Sequence, residues 1–310
     1  MPSVAATSAR GLPRPIRSLL FVPGNREQWM RKALASEADA LVFDLESAIP
    51  RAEAGPAREM CRRVLDEHRS PRPALFVRVC DARSPEQALD LAAVVGAGLH
   101  AILLPQVISA SDVIATDEAL TRCEEAAGVA PGRTLLMPLV ESANAIRSAF
   151  EIASASPRVA YMGGATSRGG DLARSLGYRF SAEGRETLFL RSKVLVDVRA
   201  AGIANPISGL WGSVDDLEGL QAFAEQSRDL GYEGLMAIHP SQLPIINAVF
   251  SPSDHEIAEW QDILTAMQRA EAEGRGAIRL DGRLIDAAHV QTAEQQLERA
   301  RRLGLLERDR

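Results

Sequence analysis

Six polar residues stand where short apolar runs of this chain give way to loops. Asp44 and Glu46 follow Ala40–Phe43, Arg78 sits near the end of Ala74–Val79, and Glu141 follows Leu135–Val140. Asp171 follows the glycine-rich stretch Met162–Gly170, and His239 follows the run that begins at Gly234. Four carboxylates and one guanidinium gathered at one mouth would repel one another unless a cation or an anionic ligand joined them. Glu141 and Asp171 form a pair with open coordination positions. Such a pair suits Mg²⁺, which keeps waters and takes oxygen from a substrate. Clustered His and Cys are missing here, which argues against zinc. Taken singly, Asp171 also reads as a helix N-cap and Glu141 as a first-turn charge.

Arg78 is suited to a bidentate grip on a carboxylate, with a structural ion pair to a mouth carboxylate as the other reading. The glycines at 163, 164, 169 and 170 are spaced GGxxxxGGD. That order matches neither the dinucleotide fingerprint nor the Walker pattern. The glycines, Gly170 among them, would instead let backbone N–H groups approach a substrate carboxylate. His239 precedes Pro240 and reads more readily as a turn partner than as a general base. Ser241 lacks the surroundings of a nucleophile elbow.

The elements that must position these residues follow from periodicity. Eight apolar runs read as strands: Leu19–Val22, Ala40–Phe43, Ala74–Val79, Ala101–Leu104, Leu135–Val140, Arg158–Met162, Pro206–Leu210 and Gly234–Ile238. They are apolar on both alternating faces, as strands covered on both sides must be. Helical patterns such as Glu27–Ala35, Pro85–Val95, Glu183–Ala201 and Asp216–Leu230 lie between them. Eight strands alternating with helices predict a closed α/β barrel, (β/α)₈, over residues 17–252, in preference to an open doubly wound sheet. Barrel enzymes carry their reacting groups at the C-terminal ends of the strands, where these polar residues fall. Residues 253–310 predict an extension: a helix His255–Glu273, a short strand-like piece, and a final helix from Asp286. It is too small to be an independent domain and is expected to pack on the barrel or on a neighbouring subunit. Residues 1–16, rich in Ala, Ser, Pro and Arg, read as a mobile tail.

Composition narrows the partners. At 310 residues and 46% hydrophobic, the chain can bury a core that needs no disulfide. Three cysteines without CxxC spacing agree with that and with a reducing, cytoplasmic setting. A net charge of −6 disfavours nucleic acid as the main partner. No secretory h-region and no membrane-length apolar run occurs.

Several blocks in one order resemble the citrate lyase β-subunit-like (HpcH/HpaI aldolase/citrate lyase) superfamily. They are Arg17-Ser-Leu-Leu-Phe-Val-Pro-Gly24, Phe43-Asp-Leu-Glu46, Phe76-Val-Arg78, Leu139-Val-Glu-Ser142, Gly170-Asp-Leu, Ala237-Ile-His-Pro-Ser-Gln242 and Asp281-Gly-Arg-Leu-Ile-Asp286. The resemblance runs from Arg17 to about Arg299. It implies a (β/α)₈ barrel assembled as a homotrimer or hexamer, with Mg²⁺ held by Glu141 and Asp171. It places Arg78, with Arg17 close by, on a substrate carboxylate or carbonyl. It gives Asp286 the proton-transfer role in an adjacent active site, N-capping being the other reading of that residue. The implied activity is carbon–carbon cleavage or formation of malyl-CoA, citramalyl-CoA or citryl thioesters, with an acyl-CoA and a 2-oxo acid as partners. A CoA-independent aldolase of the same fold and a β subunit acting only within a complex are the alternatives. Three positions depart from the pattern: Ser47 where Asp is frequent, Gln106 where Lys is common, and Gly170 where many members have Glu before the aspartate.

Overall fold

The computed structural model describes residues 14–164, 166, 169–181 and 183–306. Eight parallel strands close into a barrel in sequence order: β1 Ser18–Pro23, β2 Ala40–Asp44, β3 Ala74–Arg78, β4 Ala101–Leu104, β5 Leu135–Val140, β6 Tyr161–Gly164, β7 Asn205–Leu210 and β8 Gly234–Ala237. β1 pairs with both β2 and β8, which closes the ring. Alternation within each strand divides the apolar residues between two cores. Leu19, Ala40, Val42, Phe76, Leu103 and Met137 fill the barrel interior. Leu20, Leu41, Phe43, Val77 and Ile102 point outward to the flanking helices. This accounts for the two-faced apolarity of the runs, since parallel strands are covered on both sides.

The sixth strand is displaced from its expected Arg158–Met162. Arg158 is 3% exposed and belongs to an ion network rather than to the sheet. It donates to Asp117 and to Glu124, the latter at 3.0 and 2.8 Å. The strand begins at Tyr161 and runs on into Gly163 and Gly164. A Cβ on Gly163 would lie 1.5 Å from the Ile207 carbonyl oxygen, so the approach of β6 to β7 requires glycine. The long helix between β6 and β7 runs Arg185–Ala200, starting two residues later than expected, where Gly184 takes a left-handed φ of 60°. Of the expected N-terminal tail, residues 1–13 lie outside the described residues. Arg14 to Ile16 belong to the barrel. The Ile16 N–H donates to Asn205 Oδ1 at 2.6 Å, and Tyr161 Oη donates to the Arg14 carbonyl at 3.0 Å.

The chain divides after Phe250, two residues before the expected boundary. The C-terminal unit has helices at Asp254–Ala272 and Ala287–Leu303 and a two-stranded antiparallel hairpin, β9 Ile278–Leu280 and β10 Arg283–Ile285. Only one strand-like piece was expected there. Asp281 and Gly282 both have positive φ, 47° and 81°, as a tight two-residue hairpin turn demands. Ile263, Met267, Ile285 and Ala293 form a small core of this unit's own. Among the described residues, no helix is long and apolar enough to cross a membrane.

Candidate active site

At the C-terminal ends of the strands, β2 and β3 are in register with Asp44 opposite Arg78. Asp44 is 1% exposed and accepts both N–H groups of one edge of the Arg78 guanidinium: Nε at 2.7 Å and Nη2 at 2.5 Å. It also accepts the backbone N–H groups of Glu46 and Ala48, each at 3.0 Å, which shapes the turn after β2. Arg78 Nη2 also donates to Ser47, and Nη1 lies 3.5 Å from Glu46 Oε2. The guanidinium carbon rests 5.0 Å from the centroid of the Phe21 ring. The structure thus takes the ion-pair reading of Arg78 for one edge of its fork. The Nη1 side makes only the longer approach to Glu46 at 3.5 Å.

Glu141 follows β5, and its Oε2 accepts the Gln106 backbone N–H at 2.9 Å. Gln106 has φ 51°, an uncommon conformation for a non-glycine residue, and it aims that N–H at the carboxylate. Its side chain donates to Glu46 Oε1 at 3.3 Å, so one residue links two acids. Burial pushes the Glu141 carboxyl up to about 7. The Gln106 N–H and Arg78 oppose the rise, while Asp171 and Glu46 add to it. Burial is also the first cause that raises Glu46, with Asp44 and Asp171 contributing. Asp171 opens the short helix Asp171–Leu176 and pairs with Arg174 at 2.6 Å.

Arg78, Glu141, Gly170 and Asp171 line one cavity of about 510 Å³, together with Asp44, Glu46 and the apolar side chains of Phe21, Leu139 and Met236. Four carboxylates face it against one guanidinium, and Asp44 already holds that guanidinium. The excess negative charge and the oxygen-only donors fit a hard divalent cation held by Glu141 and Asp171, with water or substrate oxygens completing its shell. No group of three or more His, Cys, Asp or Glu is preassembled around one point among the described residues.

One expected residue is placed elsewhere in the barrel. Arg17 precedes β1 and is therefore at the N-terminal end of the barrel, opposite to the cavity. Its guanidinium forks onto Asp39, Nε at 2.7 Å and Nη2 at 2.9 Å. The substrate-binding assignment of Arg17 is corrected to a structural ion pair. Asp286 belongs to the C-terminal unit and caps the helix Ala287–Leu303, accepting from Ala288 N at 3.1 Å and pairing with His289 Nδ1 at 2.7 Å. His239 turns back on its own loop, where Nδ1 accepts the Ser241 N–H at 3.2 Å. Asp44 and Glu46 are cavity residues singled out in the sequence without an assigned role. Their signal was the Asp44-x-Glu46 spacing directly after a strand.

The model of the HpcH/HpaI aldolase/citrate lyase family matches residues 17–240. The chain belongs to that family. Among its relatives in the HpcH/HpaI family is the citrate lyase subunit beta of Haemophilus influenzae. The two are 33% identical over 92% of this chain and 97% of the relative. A (3S)-malyl-CoA thioesterase of Cereibacter sphaeroides is 35% identical over 92% of this chain and 95% of the relative. A solved structure of CitE from Mycobacterium tuberculosis, in complex with magnesium, acetoacetate and coenzyme A, is similar over 93% of this chain and 98% of that chain. Its TM-score is 0.71 and its identity 29%.

Proposed function

We propose that this protein is a Mg²⁺-dependent carbon–carbon lyase acting on a β-hydroxyacyl-CoA thioester and releasing an acyl-CoA and a 2-oxo acid. The observation that carries the reading is the cavity at the barrel mouth, where Glu141 and Asp171 face Arg78 across excess negative charge. CitE with magnesium, acetoacetate and coenzyme A supports the same metal and a substrate that carries coenzyme A.

In cleavage, the β-hydroxyl gives up its proton, the Cα–Cβ bond breaks, and the β-carbon becomes the carbonyl of the oxo acid. The electron pair passes to the thioester enolate, which must then take a proton at carbon. Glu141 and Asp171 would hold Mg²⁺, which supplies a Lewis acid for the carboxylate and carbonyl oxygens of the oxo acid. Arg78, clamped by Asp44 and Ser47, would turn its Nη1 side towards developing negative charge. The Gly170 backbone closes on the substrate carboxylate. Asp286 of the partner subunit delivers the proton to the enolate carbon, or removes it in condensation, within a trimer or hexamer.

The thioesterase relative favours a second reading, hydrolysis of the same type of thioester. Turnover of a panel of malyl-, citramalyl- and citryl-CoA separates the two by product. The lyase reading requires oxo acid in the presence of Mg²⁺, and its loss in Asp171→Ala. Full activity of that variant, or of the wild type in excess chelator, removes the metal assignment.

A further inference from the structure

At the end of the barrel opposite to Glu141 and Asp171, the segments entering β1, β3, β4 and β5 surround a second cavity of about 380 Å³. Among the described residues, its wall carries Arg14, Arg69 and Arg133, together with His68 and His100, and no Asp or Glu. The carboxylate that acts on Arg14, Asp39, is already held by Arg17 at 2.7 Å and has Arg72 at 3.8 Å. Arg69 and Arg133 are tethered through backbone carbonyls instead of acids. Arg69 Nη1 donates to the His68 oxygen and Arg133 Nη1 to the Leu99 oxygen, each at 3.1 Å. These bonds fix the two guanidinium heads and leave their remaining N–H groups for other acceptors. His100, tied to Tyr161 Oη at 3.0 Å, registers the resulting field. Burial and the charges of Arg14 and Arg133 together push its pKa down to about 4. The thirteen residues that precede Arg14 contain no Asp or Glu, so no side chain there can supply the missing counter-charge.

Three guanidinium groups around an acid-free cavity, on a chain of net charge −6, form a concentrated positive site. We infer that this N-terminal mouth is a second ligand site, separate from the cavity proposed for catalysis, that takes a small molecule bearing a phosphate or diphosphate group. Guanidinium forks match phosphate oxygens in pairs, and the charge of two or three phosphate oxygens balances three arginines. The cavity lies in the size range of small-molecule sites, so the phosphate would be carried on a small organic body.

Calorimetric titration of the full chain with pyrophosphate and with ATP tests this, in chelator and at about 0.15 M salt. The two probes distinguish a bare diphosphate from a nucleotide. The site requires binding of at least one probe that weakens about tenfold or more in an Arg69→Ser/Arg133→Ser variant, the loss of two charge-assisted contacts. The same binding must stay within about twofold of wild type in Glu141→Gln, which alters the other mouth. Both arginines are exposed, so the double variant is expected to fold, and its melting curve verifies this. Any other pattern overturns the inference, including no binding of either probe at millimolar concentration, binding unchanged in the double variant, or binding lost in Glu141→Gln.

Discussion

Replacing Arg78 with Lys keeps a positive charge and removes the planar fork. In the native site the fork makes two bonds to Asp44, at 2.7 and 2.5 Å, and a further bond to Ser47. An ammonium on a flexible stem reaches one carboxylate oxygen and cannot span both in plane. Hydrogen bonds to charged groups contribute about 1.5–3 kcal/mol each. Asp44 is 1% exposed, so water cannot take over the vacated position on its buried side. Water in the cavity recovers part of what the Ser47 side loses. The balance is a destabilisation of about 2–3 kcal/mol, close to that for a weakened rather than a severed buried pair. With an m-value of about 2–3 kcal/mol per M, the urea midpoint falls by about 1 M. The Nη1 side also loses its fixed direction, so kcat/KM for the thioester falls by at least about tenfold, or ~1.4 kcal/mol of transition-state stabilisation. A midpoint within about 0.2 M of wild type, or kcat/KM within about twofold, would refute the argument that Asp44 holds Arg78 in a working position.

Because the Glu141 carboxyl is held at about 7, it carries a proton below that pH and, as the proposed Mg²⁺ ligand, would have to release it on binding. Mg²⁺ affinity therefore rises with pH up to about 7 and levels off above, with proton release measurable by calorimetry in two buffers; a flat profile contradicts this. The raised carboxyl also means that metal-free stability declines as pH climbs from 4.5 to about 7, and Glu141→Gln removes that decline in urea titrations. Gly163→Ala places a methyl group 1.5 Å from the Ile207 carbonyl oxygen and is expected to abolish soluble, folded protein, as expression and circular dichroism would show. Asp286→Asn and Asp171→Ala proteins, each inactive alone, should regain partial activity when their subunits exchange. Demonstrated exchange without recovery would exclude the shared site, and a fully active Asp286→Asn would exclude its proton-transfer role.

The strands were legible because alternate residues face two apolar cores, as in Leu41 and Phe43 against Ala40 and Val42. β6 was less legible: Arg158 looks like a strand start, but its partners Asp117 and Glu124 lie 41 and 34 residues away in sequence. That Arg78, Glu141, Gly170 and Asp171 line one cavity was legible because a parallel barrel gathers its strand ends, a geometry that needs no knowledge of contacts. The same rule assigns Arg17 to the far end, since it precedes a strand; similarity to a family pattern outweighed it and misplaced the residue. The fork on Asp44 depends on the β2–β3 register, which the sequence does not display. Gln106 was read only as a missing cation. Its positive φ, which turns its N–H to Glu141, is visible only in three dimensions.

The central claim, Mg²⁺-dependent cleavage of a carbon–carbon bond in a β-hydroxyacyl-CoA, is tested most directly by product stoichiometry. The thioester consumed, the 2-oxo acid formed and the free CoA thiol released are measured together, with Mg²⁺ and with excess chelator. The account predicts equal amounts of thioester consumed and oxo acid formed, no early release of thiol, and no turnover in chelator. Free thiol appearing in step with thioester loss, without oxo acid, would contradict it, as would oxo acid formed at an undiminished rate without metal.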